Sequence, residues 1–296
     1  TGAPGLAKTT LVRVFAHYLG LLSGRVQFTP DLLPADITGS DLLDIDSHSG
    51  KRSFSFAKGP IFVNLLLGDE INRASPRTQS ALLEAMQEKQ VTSGGKSYLL
   101  PEPFMVFATQ NPFESDGTFP LPEAQLDRFM LHTMIKYPEK NDELEILKAH
   151  SENRLIGENF HILKPSKTEL TVEQLLKVQA AVNSVPIDQE LLLLINELIR
   201  SSRPEDENCP KDLKASIWYG SSPRGGISLI SASRALALID KQDCVRWRHL
   251  KRLAPAVLRH RIRLNTYTDD QQNSEDQIIS QLLSRMEEKH VSLVKM

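Results

Sequence analysis

Thr1-Gly2-Ala3-Pro4-Gly5-Leu6-Ala7-Lys8-Thr9-Thr10 opens the chain and runs directly into the apolar-periodic stretch Leu11-Val12-Arg13-Val14-Phe15-Ala16. A loop that cradles phosphate needs backbone N–H groups turned toward one point, and small residues that let the chain approach an anion closely. It also needs a lysine for the β- and γ-phosphates, a hydroxyl for Mg2+, and a following helix N-terminus with its positive dipole end. Lys8, Thr9 and the helix that begins near Leu11 supply these. One departure is plain: Ala7 stands where the general pattern has Gly before the lysine. Taken alone, the stretch also reads as a Gly/Pro turn ahead of an ordinary helix, so the rest of the chain has to decide.

With 296 residues the chain has room for about two domains, at roughly 150 residues each. Apolar residues make up 40% and charged residues 24%, the balance of a globular chain. A net charge of −2 offers no general attraction to nucleic acid or to an anionic membrane. Two cysteines, Cys209 and Cys244, form no metal-type spacing and set a reducing, cytoplasmic compartment as the expectation. The longest apolar runs, such as 191–195, fall far short of the roughly 18 residues that a membrane span needs. A phosphate loop normally follows a strand, so the natural protein is expected to extend upstream of Thr1.

After the loop's helix, Val26-Gln27-Phe28 reads as a short strand, and residues 28–43 as an irregular, Pro/Asp-rich loop or hairpin insertion. Residues 47–58, with Phe54 and Phe56 alternating, suit a hairpin arm. The unbroken apolar run 61–67 is expected to be a strand covered on both faces, ending in Gly68-Asp69-Glu70. Ser75-Pro76 is a helix start, and Leu82, Leu83 and Met86 are that helix's buried stripe. Gly94-Gly95 centres a hairpin over 91–100. Residues 104–108 and 129–135 read as further strands. Beyond Tyr137-Pro138 the pattern turns helical, with Thr171-x-x-Gln174 as a capping box. The fold class this predicts is α/β, a three-layer αβα domain over residues 1–137 with an insertion near 29–60. An all-α domain follows over 138–296.

Asp69-Glu70 closes a buried strand, and the carboxyl ends of strands in an open α/β sheet face the ligand crevice. One acid there can hold Mg2+; a second can orient and deprotonate water. A lone Asp-Glu pair is also compatible with a solvated strand end. Asn111, just past another buried strand, can position the same water, or be a turn residue before Pro112. Arg128 can pair locally with Asp127 or reach a neighbouring subunit's γ-phosphate, where such an arginine is worth about 10³–10⁵ in rate. Arg224 lies at a helix start, where a cation opposes the dipole and calls for an anionic partner, a phosphate or a surface carboxylate. Residues 246–263 carry seven Lys/Arg and no acid, either a nucleic-acid footprint or the basic face of one helix.

Together these residues resemble the AAA+ ATPases, and within them the MoxR family, in which Ala before the Walker A lysine is usual. Gly2 to Thr9 resembles that Walker A, 66–74 its Walker B, Ala108-Thr109-Gln110-Asn111-Pro112 its sensor 1, 121–129 its arginine-finger stretch and Ser222-Pro223-Arg224 its sensor 2. Residues 28–60 resemble the helix-2 insertion of the clade that also holds magnesium-chelatase and MCM-type motors.

The resemblance implies ATP and Mg2+ as cofactors and a homo-oligomeric, typically hexameric ring with nucleotide at subunit interfaces. It implies Gly2, Ala3, Pro4, Gly5, Leu6, Ala7, Lys8, Thr9 and Thr10 around the phosphates, and Thr9 and Asp69 on the metal. Glu70 would activate water, Asn111 would act as sensor, Arg128 would act in trans, and Arg224 in cis or in trans. It further implies chaperone-like remodelling of a client complex, with partners that carry a von Willebrand factor A domain. A nucleotide-gated scaffold with little hydrolysis and a DNA motor are the competing readings; the net acidity argues against the second.

Overall fold

The computed structural model describes residues 1–2, 6, 8–45, 52–110, 117–152, 170–265 and 274–291. The chain divides into two compact units, one of Thr1–Leu121 with Met134–Leu176, the other of Pro122–Thr133 with Lys177–Met296. The expected boundary near Tyr137 falls inside the first unit's second segment.

In the first unit, α1 (Lys8–Tyr18) leads to β1 (Ser23–Gln27), a short α2 (Pro34–Thr38), and a hairpin of β2 (Gly39–Ile45) and β3 (Arg52–Lys58). Then come β4 (Leu65–Asp69), α3 (Pro76–Glu88), the hairpin of β5 (Gln90–Ser93) and β6 (Lys96–Leu99), and β7 (Met105–Ala108). The central sheet is parallel in the order β1-β4-β7. Alternation along β4 explains its two covered faces. Leu65 and Leu67 join Val12 and Ala16 of α1 in one cluster, whereas Gly68 lies against Phe28 and Leu82 of α3. Ser75 caps α3 by accepting from the Thr78 N–H, with Pro76 at the first helical position as expected.

Three expectations need correcting. Residues 28–43 are not wholly irregular. Pro34 opens α2, and Asp36 accepts from the Leu33 N–H to cap it, before the chain enters β2. The strand at 61–67 begins later, at Leu65, because the amide of buried Asn64 accepts from the Leu22 N–H and donates to the Pro103 carbonyl, anchoring the turn before it. Residues 129–135 do not form a strand; Ile135 makes a single parallel bridge to Gly2. The backbone groups a ladder would use are taken by other partners. Arg261 donates to the carbonyls of Phe129 and Met130, and the His132 N–H donates to the Ala256 carbonyl.

The first unit also carries α5 (Lys140–Ser151), while α4 (Glu123–Leu126) belongs to the second. α6 (Val172–Ser184) opens on the expected capping box, Thr171 and Gln174 bonding reciprocally at 2.9 and 3.2 Å. The second unit continues with α7 (Gln189–Ser201), β8 (Ile217–Tyr219), α8 (Pro223–Ile239), α9 (Trp247–Leu258), β9 (Arg263–Leu264) and α10 (Glu275–Lys289). Leu194, Leu198, Leu229, Leu250, Val257, Ile278 and Leu282 are buried in one apolar cluster, so this core is helix packed on helix. The small β8–β9 pair was not legible in the sequence.

Candidate nucleotide site

Parallel pairing puts the ends of β1, β4 and β7 at one edge, and the candidate site is built there. Asp69 is the last residue of β4 and pairs with Gln27 of β1. The Thr109 N–H, just past β7, donates to the Gly68 carbonyl at 2.8 Å. The Thr109 hydroxyl donates to Asp69 Oδ1 and accepts from the Glu70 N–H at 2.9 Å. Glu70 itself is held at φ 58°, ψ 49°, in the left-handed region, which residues other than Gly, Asn and Asp seldom occupy. That turn reverses the chain directly after the metal-type acid, so that the neighbouring acid leaves the sheet at its crevice end.

From the opposite side, α1 brings Thr9 to the same carboxylate, its Oγ1 lying 3.4 Å from Asp69 Oδ2. Lys8 Nζ donates to the Gly2 carbonyl at 2.8 Å, which folds the lysine back over the loop's first residues. Arg25 of β1 donates to Asp69 Oδ2 through Nε at 3.2 Å and NH2 at 2.8 Å. Partial burial pushes the Asp69 carboxyl up, but hydrogen bonds from Thr109 and Arg25 and the charges of Arg25 and Lys8 outweigh it and hold the group below its ordinary range. Glu70 Oε2 accepts from Gln27 Nε2 at 2.8 Å and pairs with Arg73 Nε at 3.1 Å.

A hydroxyl and an ionised carboxylate 3.4 Å apart are hard oxygen donors of the kind that suits Mg2+, which takes few protein ligands. Among the described residues there is no group of three or more His, Cys, Asp or Glu that could hold a metal ion.

Of the expected site residues, Gly2, Lys8, Thr9, Asp69 and Glu70 converge here, with Leu6 partly buried beside them in the chain and Thr10 in the first turn of α1. Ala3, Pro4, Gly5, Ala7 and Asn111 lie outside the described residues. Arg128 and Arg224 belong to the second unit. There Arg128 is exposed just past α4, and Arg224 is the second residue of α8, whose N-cap Ser222 accepts from its N–H. Asp127 stands next to Arg128 in the chain. Its carboxylate accepts from Arg261 at 2.8 Å and from Ser222 at 2.8 Å, with Arg224 NH1 4.0 Å away.

The basic run 246–263 is not the basic face of a single helix: Lys251 pairs with Glu287, Arg259 with Asp276, Arg261 with Asp127 and Arg263 with Glu123. Sequence reasoning missed Arg25, Gln27 and Thr109 as parts of the site. The signal for the first two is the alternation Arg25-Val26-Gln27, with Val26 buried between two polar residues on the opposite face.

A phosphate-type loop, a strand-end acid pair and a helical second unit define a P-loop NTPase with a lid. Family models agree. That of the ATPase family associated with various cellular activities (AAA) matches residues 1–131, and that of the AAA lid domain matches 211–282. The uncharacterised protein YeaC of Bacillus subtilis is 38% identical over 281 residues, 95% of this chain and 82% of its own length. Chaperone MoxR1 of Mycobacterium tuberculosis is 38% identical over 88% of this chain and 66% of its own length. A crystal structure of a Cytophaga hutchinsonii protein described as a candidate ATPase superposes with a TM-score of 0.80 at 38% identity, over 96% of this chain and 82% of that one. The chain belongs to the MoxR family of AAA+ ATPases.

Proposed function

We propose that the chain binds ATP with Mg2+ and hydrolyses it at interfaces between subunits of a ring, typically hexameric, to drive remodelling or maturation of a client complex. The observation that carries this reading is the convergence on one carboxylate of the loop hydroxyl, 3.4 Å from Asp69 Oδ2, and the Lys8 charge. A Mg2+ ion held there would supply neutralisation of the charge on the phosphates. Thr9 and Asp69 would hold it. Lys8 would leave the Gly2 carbonyl for the β- and γ-phosphates. Glu70 would take the proton of the attacking water on its carboxylate, with Asn111 orienting that water. Arg128 of a neighbouring copy would stabilise the charge on the transferred group, and Arg224 would answer the same loss of phosphate in cis or in trans.

Loss of the γ-phosphate removes a ligand shared by Lys8, Arg128 and Arg224, and subunits bridged by it can then reorient. A client partner with a von Willebrand factor A domain follows from the family likeness. Free Cys209 and Cys244 favour a reducing, cytoplasmic setting. No helix among the described residues is long and apolar enough to cross a membrane. The partnering of the basic run with acids weakens the DNA-motor reading.

Steady-state phosphate release tests the proposal. Mg2+-dependent turnover is expected, lost in Lys8→Ala and in Glu70→Gln. Release no faster than that of the Glu70→Gln control leaves a nucleotide-gated scaffold as the reading.

A further inference from the structure

The second unit buries one arginine whose position suits a specific task. The side chain of Arg261 is 1% exposed. Four of its six hydrogen-bond contacts go to one short segment. Nε donates to Asp127 Oδ1 at 2.8 Å, NH1 to the Met130 carbonyl at 3.2 Å, and NH2 to the Asp127 and Phe129 carbonyls at 3.0 and 2.7 Å. NH1 also donates to the Val257 carbonyl and NH2 to Ser228 Oγ at 3.2 Å, which ties that segment to α9 and α8.

The gripped carbonyls lie on both sides of Arg128. Flanking residues repeat the hold, with His260 Nε2 3.0 Å from the Phe129 carbonyl and Arg259 NH1 donating to the His132 carbonyl at 3.1 Å. Asp127 extends the network to the start of α8 through Ser222 and toward Arg224. Gly225 leaves space for the Arg261 stem, since a Cβ there would sit 3.2 Å from its Cδ and 2.1 Å from Ser221 Oγ.

Burying a guanidinium is costly unless it is paired and its hydrogen bonds are made. An apolar side chain could fill the same volume without that cost. What the guanidinium adds is a rigid fork that fixes three carbonyls and a carboxylate at once.

We propose that Arg261 is a positioning residue for ATP hydrolysis: it fixes the backbone around Arg128 and, through Asp127, joins the Arg128 loop and the Arg224 helix start into one rigid piece. The proposal rests on the reading of Arg128 as the catalytic arginine presented to a neighbouring subunit. A side chain that acts by aiming another changes turnover rather than nucleotide affinity, and has nothing left to aim once that other is gone.

The test uses Arg261→Lys, which keeps the charge and loses the fork, in the assembled full chain with concentrations counted by nucleotide binding. Turnover is expected to fall at least about tenfold with KM for ATP within about twofold. Amide exchange is expected to quicken across 127–132 while α7 and α10 keep their protection. In the Arg128→Ala background, Arg261→Lys is expected to cause no further loss. Additive losses, a rise in KM with unchanged kcat, or uniformly faster exchange would overturn the proposal. Should Arg128→Ala alone leave turnover intact, it is the catalytic reading of Arg128 that fails, whereas the exchange result still reports on the clamp. If Arg261→Lys does not fold by circular dichroism, Asp127→Asn takes its place, with the same expectations and the same overturning results.

Discussion

The hydroxyl of Thr109 donates to the carboxylate of Asp69 from the neighbouring strand and accepts from the next backbone N–H, that of Glu70. One side chain at the end of β7 therefore orients the metal-type acid and fixes the left-handed turn that aims the second. Thr109 is 6% exposed, so its partners have no ready replacement in water. Thr109→Val keeps the shape and removes the hydroxyl. It should cost about 1–3 kcal/mol, the usual penalty for leaving buried polar groups unsatisfied, and lower the affinity for Mg2+-nucleotide. Thr109→Ser should restore both. The depressed Asp69 contributes stability that is present above the ordinary carboxylate range and lost as pH falls below it, so the valine variant should lose less on acidification. Equal melting temperatures for all three proteins would contradict this account.

His260 supplies a second pH dependence. Burial, then the charge of adjacent Arg261, pushes its pKa from 6.5 down to about 3, and His132 with an edge-on ring 5.8 Å away is pushed down to about 4, mainly by burial. The unfolded chain protonates His260 near 6.5 and the folded one only near 3. Stability is therefore full above that upper value and falls as pH drops toward the lower one. At about 1.4 kcal/mol per pH unit, His260 should account for roughly 2 kcal/mol lost by about pH 5. His260→Gln keeps a donor for the Phe129 carbonyl. Urea unfolding should show the gap between wild type and variant at pH 7.5 narrowing by about that amount at pH 5. A gap independent of pH would remove His260 as the source.

Much of this was legible beforehand. The buried strand ending in Asp69, the Ser75-Pro76 start and the Gly94-Gly95 hairpin each rest on local chemistry, which a sequence carries whole. What failed is long-range. Residues 129–135 have strand-like composition, but their backbone groups are claimed by Arg261 and Ala256, more than 120 positions away. Arg25 and Gln27 sit two apart on a strand whose register to β4 no local pattern fixes. Nor could spacing reveal that the basic run would scatter among four separate acids.

Gly39 marks the base of the β2–β3 hairpin. Its φ is 96°, and a Cβ there would lie 2.2 Å from the Ala57 carbonyl oxygen and 2.6 Å from the Gly59 N. An L-side chain at positive φ costs about 1–2 kcal/mol before any clash. Gly39→Ala should therefore open the pairing of Gly39 with Lys58. Amide exchange across β2 and β3 should quicken, with β4 and β7 unaffected. Unchanged protection at the hairpin base would show that the backbone accommodates the methyl.

The last prediction concerns Glu70. In this state its Oε2 accepts from Gln27 Nε2 at 2.8 Å and faces Arg73 Nε at 3.1 Å. Both contacts engage the oxygen that would have to accept a proton from water. A hydrogen bond to a charged group is worth about 1.5–3 kcal/mol. Releasing it should let the side chain swing toward the crevice. Gln27→Leu is then expected to raise basal phosphate release by about tenfold, the rate equivalent of about 1.4 kcal/mol, with KM for ATP nearly constant. The double variant with Glu70→Gln should be as inactive as Glu70→Gln alone. A fall in turnover would instead mean that Gln27 aims Glu70 at the water rather than restraining it.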